Sequence, residues 1–295
     1  MNSALNRYYE FMEASPLIIE DNNISYVLHA AAVYHFRKFS FSSLNFNLRC
    51  STSNESQIHS RPFHLAQDTL IQELLDNRTG SCFHHNSLFL TMLQAVGIQS
   101  WIVSCIVHDP LNPEMRFEMP SHVAIIFYHF GNEYLFDPGW DGTTLSVYQI
   151  PTALNTTSRL GQYQIRYTYG RDYEYAFEKI REGDNTTIIR YEFNLTPSQL
   201  TSHEESVVYL NSKRYAFHSL FLYTQIKDGT IFSFVNRRLN SRTIDGEEIE
   251  NTALPSNISV TDKISEIFGP SEGLMAGLVA SMFKNIELGR MICSE

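Results

Sequence analysis

Cys82, His122 and Asp137 are the residues whose types and spacing could do covalent chemistry. Cys82 stands where the polar turn Arg78-Thr79-Gly80-Ser81 gives way to a helical apolar pattern. That pattern runs through Phe83, Leu88, Leu90, Met92, Leu93 and Val96 and stops at Gly97. Thr79 or Ser81 can cap the helix, its hydroxyl accepting a bond from an orphaned backbone N–H. A thiol in that first turn lies among converging N–H groups at the positive end of the helix dipole. Its pKa is therefore expected to fall, which is how a protein makes a sulfur nucleophile at neutral pH. His122 opens a strand-like run after Pro120-Ser121, and Asp137 closes the next run before the turn Pro138-Gly139-Trp140. If the two runs form a hairpin, both residues lie at its open end, and period-two alternation can put them on one face. The imidazole would take the thiol proton, and the carboxylate would orient the ring and stabilise its charged form. Taken singly, each has a plainer reading: a buried Cys is a small hydrophobe, a strand His a satisfied polar group, an Asp before Pro-Gly a turn former. His84 and His85 compete as partners of Cys82 or as metal ligands, but no second ligand cluster accompanies them at metal spacing, so no metal is expected.

The elements that must position these groups follow from periodicity. Residues 4–14 read as a short helix stopped by Pro16, Ile24–Phe36 as a second and His64–Leu75 as a third, so the first third of the chain is mostly helical. Residues 50–60 read as a loop by composition. The pattern then changes: WIVSCIV (101–107), HVAIIFYHF (122–130) and EYLFD (133–137) are rich in β-branched and aromatic residues. Gly131-Asn132 is the expected hairpin turn between the last two, and Asp228-Gly229 another farther on. QIRYTYG, TTIIRYEF, FLYTQIK and TIFSFVN continue the strand vocabulary, with a helix expected near 197–210 and another over Ser271–Lys284. Cys105, between Val103 and Val107, reads as core. Helices followed by strands, without βαβ alternation, indicate an α+β protein.

Composition limits the partners. A net charge of −10 over 295 residues argues against nucleic acid, which needs a basic face. Four cysteines (Cys50, Cys82, Cys105, Cys293) are too few for a disulfide scaffold, and none forms a C-x-x-C pair. The N-terminal MNSALNRYYEFMEAS lacks a basic start and a continuous apolar core, and no apolar run approaches the roughly 20 residues of a membrane span. A soluble cytoplasmic protein is the expectation.

At this point the sequence resembles the arylamine N-acetyltransferase family. Its motif Arg-Gly-Gly-x-Cys-x-Glu-x-Asn is matched by Arg78, Gly80, Cys82 and Asn86. Forty residues on, Ser121-His122-Val123 resembles the family's catalytic histidine. Fifteen further, Tyr134-Leu135-Phe136-Asp137-Pro138-Gly139-Trp140 resembles its Tyr-hydrophobic-Val-Asp-x-Gly-Phe segment. Leu28-His29 and Phe39-Ser40-Phe41-Ser42-Ser43-Leu44 extend the likeness toward the N-terminus, where the family has Pro-Phe-Glu-Asn-Leu, and the whole likeness runs to about Phe268. The resemblance implies a helical domain (1–97) carrying Cys82, a β-barrel domain (98–206) carrying His122 and Asp137, and an α/β lid (207–295) with an extra C-terminal helix. It further implies that Cys82 takes an acyl group from acetyl-CoA as a thioester and passes it to an arylamine, arylhydrazine or related amine. Phe41 and Trp140 match positions lining the amine pocket, and Arg78, Gly80, Asn86 and Gly139 are the supporting residues.

Three departures touch the surroundings of the nucleophile. Thr79 replaces a glycine and is expected to distort the turn slightly. His84 replaces an acidic or amide residue, which leaves the contact of the Arg78 guanidinium open. Ser42-Ser43 replace Glu-Asn. Two competing readings remain: a hydrolase or amide synthase using the same three residues on a peptide or carrier-bound acyl group, and a non-catalytic binding protein. The C-terminal helix is expected to pack on the lid, with a homodimer or partner interface as its other reading.

Overall fold

In the computed structural model of the protein the described residues are 3–19, 23–43, 65–109, 115–140, 142, 144–153, 157–160, 162–168, 172–181, 183–210 and 221–269. The expected loop over 50–60, the expected helix over Ser271–Lys284, and Cys50 and Cys293 lie outside them.

The chain begins with α1 (Ser3–Met12), which buries Leu5, Tyr8, Tyr9 and Met12, and α2 (Ile24–Phe36), whose bounds are those the apolar period predicts. A short strand, β1 (Ser40–Ser42), precedes α3 (Gln67–Asn77), which starts at Gln67 because Ala66 is extended. Leu70, Ile71, Leu74 and Leu75 give α3 one buried face. The two-residue strand β2 (Thr79–Gly80) leads into α4 (Cys82–Ala95), in which every residue from Phe83 to Leu93 is buried. A helix buried on all sides is a core element, and α4 is the one around which the others pack.

Eight strands follow the helices: β3 (Ser100–Val107), β4 (His122–His129), β5 (Asn132–Phe136), β6 (Val147–Gln149), β7 (Thr157–Leu160), β8 (Tyr163–Tyr167), β9 (Tyr175–Ile180) and β10 (Thr187–Ser198). They form one sheet in the order β6-β5-β4-β3-β10-β9-β8-β7, and its outer strands β6 and β7 lie against each other, so the sheet nearly closes as a barrel. Alternation along β4 and β5 decides which face each residue serves. Ala124, Ile126 and Leu135 join Cys105, Tyr191 and Phe193 inside the barrel. Val123, Ile125, Phe127 and Phe136 point the other way and pack in the core that contains α4, with the Phe89 and Phe136 rings edge-on at 5.3 Å.

The hairpin between β4 and β5 differs by one residue from the sequence expectation. Phe130 and Gly131 are the turn residues, both at positive φ (46° and 80°), and Asn132 already pairs with His129. The primed turn needs two left-handed residues; Phe130 takes the first position and Gly131 the second, so that Asn132 can stay in the ladder. The helix expected near 197–210 also starts later. Pro197 and Ser198 belong to β10, past a register shift that accommodates the proline. Leu200–His203 forms a 3₁₀ turn, and α5 (Glu204–Leu210) follows.

The C-terminal part consists of β11 (Leu222–Lys227), β12 (Thr230–Val235), β13 (Arg238–Thr243) and β14 (Glu248–Ala253), closed by α6 (Asn257–Phe268), which Ser256 caps through its hydroxyl. Asp228-Gly229 is the left-handed pair between β11 and β12, as expected. β13 and β14 escape a reading by alternation because RLNSRT and EIENTA carry almost no apolar residues. β11 also pairs antiparallel with β1, and β1 pairs parallel with β2, so one six-stranded sheet runs β14-β13-β12-β11-β1-β2. The architecture is α+β: a helical N-terminal part, a nearly closed barrel and a C-terminal sheet-and-helix lid. We propose division points near residues 97 and 206, with β1 and β2 passing from the helical part into the lid's sheet.

Candidate active site

Cys82 is the first residue of α4, and Ser81, in extended conformation, is its N-cap. Of the two hydroxyls that could cap, Thr79 is engaged in β2, opposite Ser40. Thr79 does not distort the turn. The left-handed residue is Arg78 (φ 58°), so the replacement of glycine by threonine falls on ordinary extended backbone. The glycine that the turn does require is Gly80, where a Cβ would come within 2.6 Å of His84 Cβ.

His84 caps the helix that carries Cys82. It closes a capping box with Ser81, its Nδ1 accepting from the Ser81 N–H at 3.1 Å, while Nε2 faces Glu73 Oε2 at 3.2 Å. The Arg78 guanidinium lies over the Phe11 ring, 3.1 Å from its centroid, with Phe39 behind at 5.6 Å. An aromatic face therefore answers the question left open by the loss of the acidic residue.

His122 begins β4 opposite Cys105 of β3, and Asp137 directly follows β5. Both continue the barrel-interior face and meet there: His122 Nε2 donates to Asp137 Oδ2 at 2.7 Å. With Nε2 so engaged, Nδ1 is the nitrogen left for the half-buried Cys82 thiol, which also bonds this imidazole. Burial alone would push the His122 pKa down. The Asp137 charge and then Cys82 outweigh it and push it up to about 10.

Asp137 is held from every side. Asn86 Nδ2 donates to its Oδ1 at 2.9 Å, and Tyr191 OH donates to Oδ2 at 2.8 Å. Thr144 Oγ1 and the Trp140 N–H both donate to its backbone carbonyl. Asn86 is also a joint, since its Nδ2 donates to Val123 O and its Oδ1 accepts from the Gly139 N–H. Gly139 must be glycine because a Cβ would lie 2.7 Å from that amide. Trp140 stands edge-on to His122 at 5.0 Å, and Phe41 is buried beside His85 at 6.1 Å.

Sequence reasoning missed Tyr191. It sits in TTIIRYEF with no motif around it, and only inward alternation on β10 hints at its place. Burial and then the Asp137 charge push its pKa well above the usual tyrosine value, so it stays a hydrogen-bond donor. The buried roles of His35, His85 and His203 were likewise unread. Among the described residues no cluster of three or more metal-ligating side chains is found, and no helix is long and apolar enough to cross a membrane.

A family model described as N-acetyltransferase matches residues 26–271. The chain belongs to the arylamine N-acetyltransferase family. It is accordingly an acyltransferase. Among solved structures it is similar to the arylamine N-acetyltransferase of M. tuberculosis, with TM-score 0.71 and 20% identity over 94% of this chain and 99% of that one. The Mycobacterium marinum enzyme in complex with CoA gives TM-score 0.70 at 16% identity, covering 96% and 99%. A Bacillus cereus enzyme, described as having a unique Cys-His-Glu catalytic triad, gives 0.64 at 16%, covering 91% and 99%. These identities speak to the fold. No curated protein matches the sequence significantly.

Proposed function

We propose that the protein transfers acetyl from acetyl-CoA to an arylamine, arylhydrazine or related amine by a ping-pong route through Cys82. The observation that carries this reading is the buried His122–Asp137 pair with the Cys82 thiol on the same imidazole. In the first half-reaction the Cys82 sulfur attacks the thioester carbonyl. A new C–S bond forms, the bond to the CoA sulfur breaks, and the departing thiolate takes the proton held by His122. In the second, the amine nitrogen attacks the acetyl-Cys82 carbonyl, His122 takes the amine proton, and the Cys82 thiolate leaves. Asp137 keeps the ring oriented and balances its charge through both halves. The Cys82 backbone N–H at the helix start is the proposed oxyanion donor. Phe41 and Trp140 are proposed to bound the flat amine. The relative solved with CoA supports the choice of donor. The free thiols of Cys82 and Cys105 support a reducing location such as the cytoplasm.

The test is to incubate the protein with acyl-CoAs of several chain lengths and weigh it intact beside Cys82→Ala. We expect the wild-type protein alone to gain one acyl group. If no acyl-CoA adds mass, the reading is wrong. CoA-independent turnover of peptide or carrier-bound acyl groups would instead support an amide synthase or hydrolase on the same three residues.

A further inference from the structure

The peptide unit joining Gly80 to Ser81, one step upstream of the Cys82 peptide, is gripped at both ends by consecutive imidazoles. Its N–H, on Ser81, meets His84 Nδ1 at 3.1 Å. Its C=O, on Gly80, meets His85 Nε2 at 3.1 Å, and the same nitrogen lies 3.2 Å from the Ser40 carbonyl in the neighbouring strand β1. Backbone groups have fixed roles, so they assign the protons on every ring in the cluster. A carbonyl only accepts, hence His85 Nε2 carries hydrogen and its Nδ1 a lone pair. His35 Nε2, 2.9 Å from that Nδ1, must then donate, and His35 Nδ1 accepts from Tyr8 OH at 3.2 Å. An N–H only donates, hence His84 Nδ1 carries a lone pair and its Nε2–H points to Glu73. All three imidazoles are buried, and His35 is stacked on Phe39 with centroids 4.6 Å apart.

We propose that His84 and His85 are positioning residues that lock the plane of the Gly80–Ser81 peptide, and with it the direction from which Cys82 enters its helix. The lock works only while His84 Nδ1 accepts. Turning this peptide about its axis would break both bonds at once, and the Cβ-free Gly80 is the point where such a turn could occur. The inference rests on reading Cys82 as the nucleophile. The titratable groups facing the two rings are Glu73 from α3 on the His84 side, His35 from α2 with Tyr8 from α1 behind it on the His85 side, and the rings themselves from α4. Burial pushes His85 down to about 3 and His35 well below the usual imidazole value, consistent with neutral links.

The test reads Cys82 itself rather than turnover: the rate of Cys82 alkylation by iodoacetamide, followed by intact mass, with thermal melts alongside. Wild type is compared with His84→Ala, His84→Gln and, as a reference for an unactivated thiol, His122→Ala. We expect His84→Ala to slow Cys82 by about ten- to a hundredfold. His84→Gln should restore the rate, because its amide oxygen can accept from Ser81. A folded alanine variant that keeps the alkylation rate of wild type overturns the lock, whatever its melting point. If the alanine variant does not fold, the glutamine variant against wild type decides: a slow glutamine variant overturns the assignment of Nδ1 as acceptor. A wild-type Cys82 no faster than in His122→Ala sinks the nucleophile reading, and the lock goes with it.

Discussion

The Asp137 carboxylate accepts from Asn86, His122 and Tyr191, donors on three different elements, α4, β4 and β10. Its charge is the chief reason that the buried His122 can hold a proton. With a folded-state pKa of about 10 against the usual 6.5, the charged pair contributes stability that is fully present below pH 6.5 and is lost as pH rises through about 10. Asp137→Asn should remove that contribution, flatten the alkaline fall in melting temperature, and lower kcat by about 10⁴-fold, as loss of the orienting carboxylate does in comparable triads. Tyr191→Phe is milder. It deletes one of several donors to a carboxylate, so we expect a loss of about 1.5–3 kcal/mol in denaturant melts and a drop of about tenfold in kcat with KM for the acyl donor unchanged. A Tyr191→Phe enzyme with wild-type kcat would mean that Asn86 and His122 suffice to hold the carboxylate.

At the scale of elements, the site is a junction of α4, β4 and the turn after β5, and Asn86 is the pin through it. Asn86→Ala would leave the Val123 carbonyl, the Gly139 N–H and one Asp137 oxygen without their partner in a buried place. About 3 kcal/mol or more of stability should be lost, measured by denaturant unfolding, and the alkylation rate of Cys82 should fall with it. Much of this junction was legible in the sequence. The apolar period located α2 and α4, and alternation put His122 and Asp137 on one face. The pin was legible only as a motif position, because nothing in the type of Asn86 says which three groups it will meet. The hairpin was off by one because either Phe130 or Asn132 could have supplied the left-handed residue beside Gly131, and ladder pairing decided between them. Strands β13 and β14 were invisible because RLNSRT and EIENTA carry almost no apolar residues, so no apolar alternation marks them.

Over the whole molecule, the buried imidazoles oppose the charged pair in their response to pH. His35 and His85 are held below the ordinary value, so they contribute stability above pH 6.5 that is lost as pH falls, for His85 over the range down to about 3. Together with the alkaline loss through His122, melting temperature should peak near neutrality and fall on both sides. His35→Phe should be less stable at neutral pH but have a shallower acid arm; an acid arm as steep as wild type would assign acid loss to other groups. The sheet that joins β2 and β1 to β11 has a different consequence, for the order in which the protein is made. The turn bearing Cys82 borders a sheet whose next strand lies some 140 residues downstream, so that edge stays open until Leu222–Lys227 has left the ribosome. A nascent chain that has emerged only through β10 owns Cys82, His122 and Asp137 but not the strand that closes the sheet beside them. Acyl transfer would thus be among the last properties a growing chain acquires, and a half-made enzyme would have no early chance to modify its own surroundings.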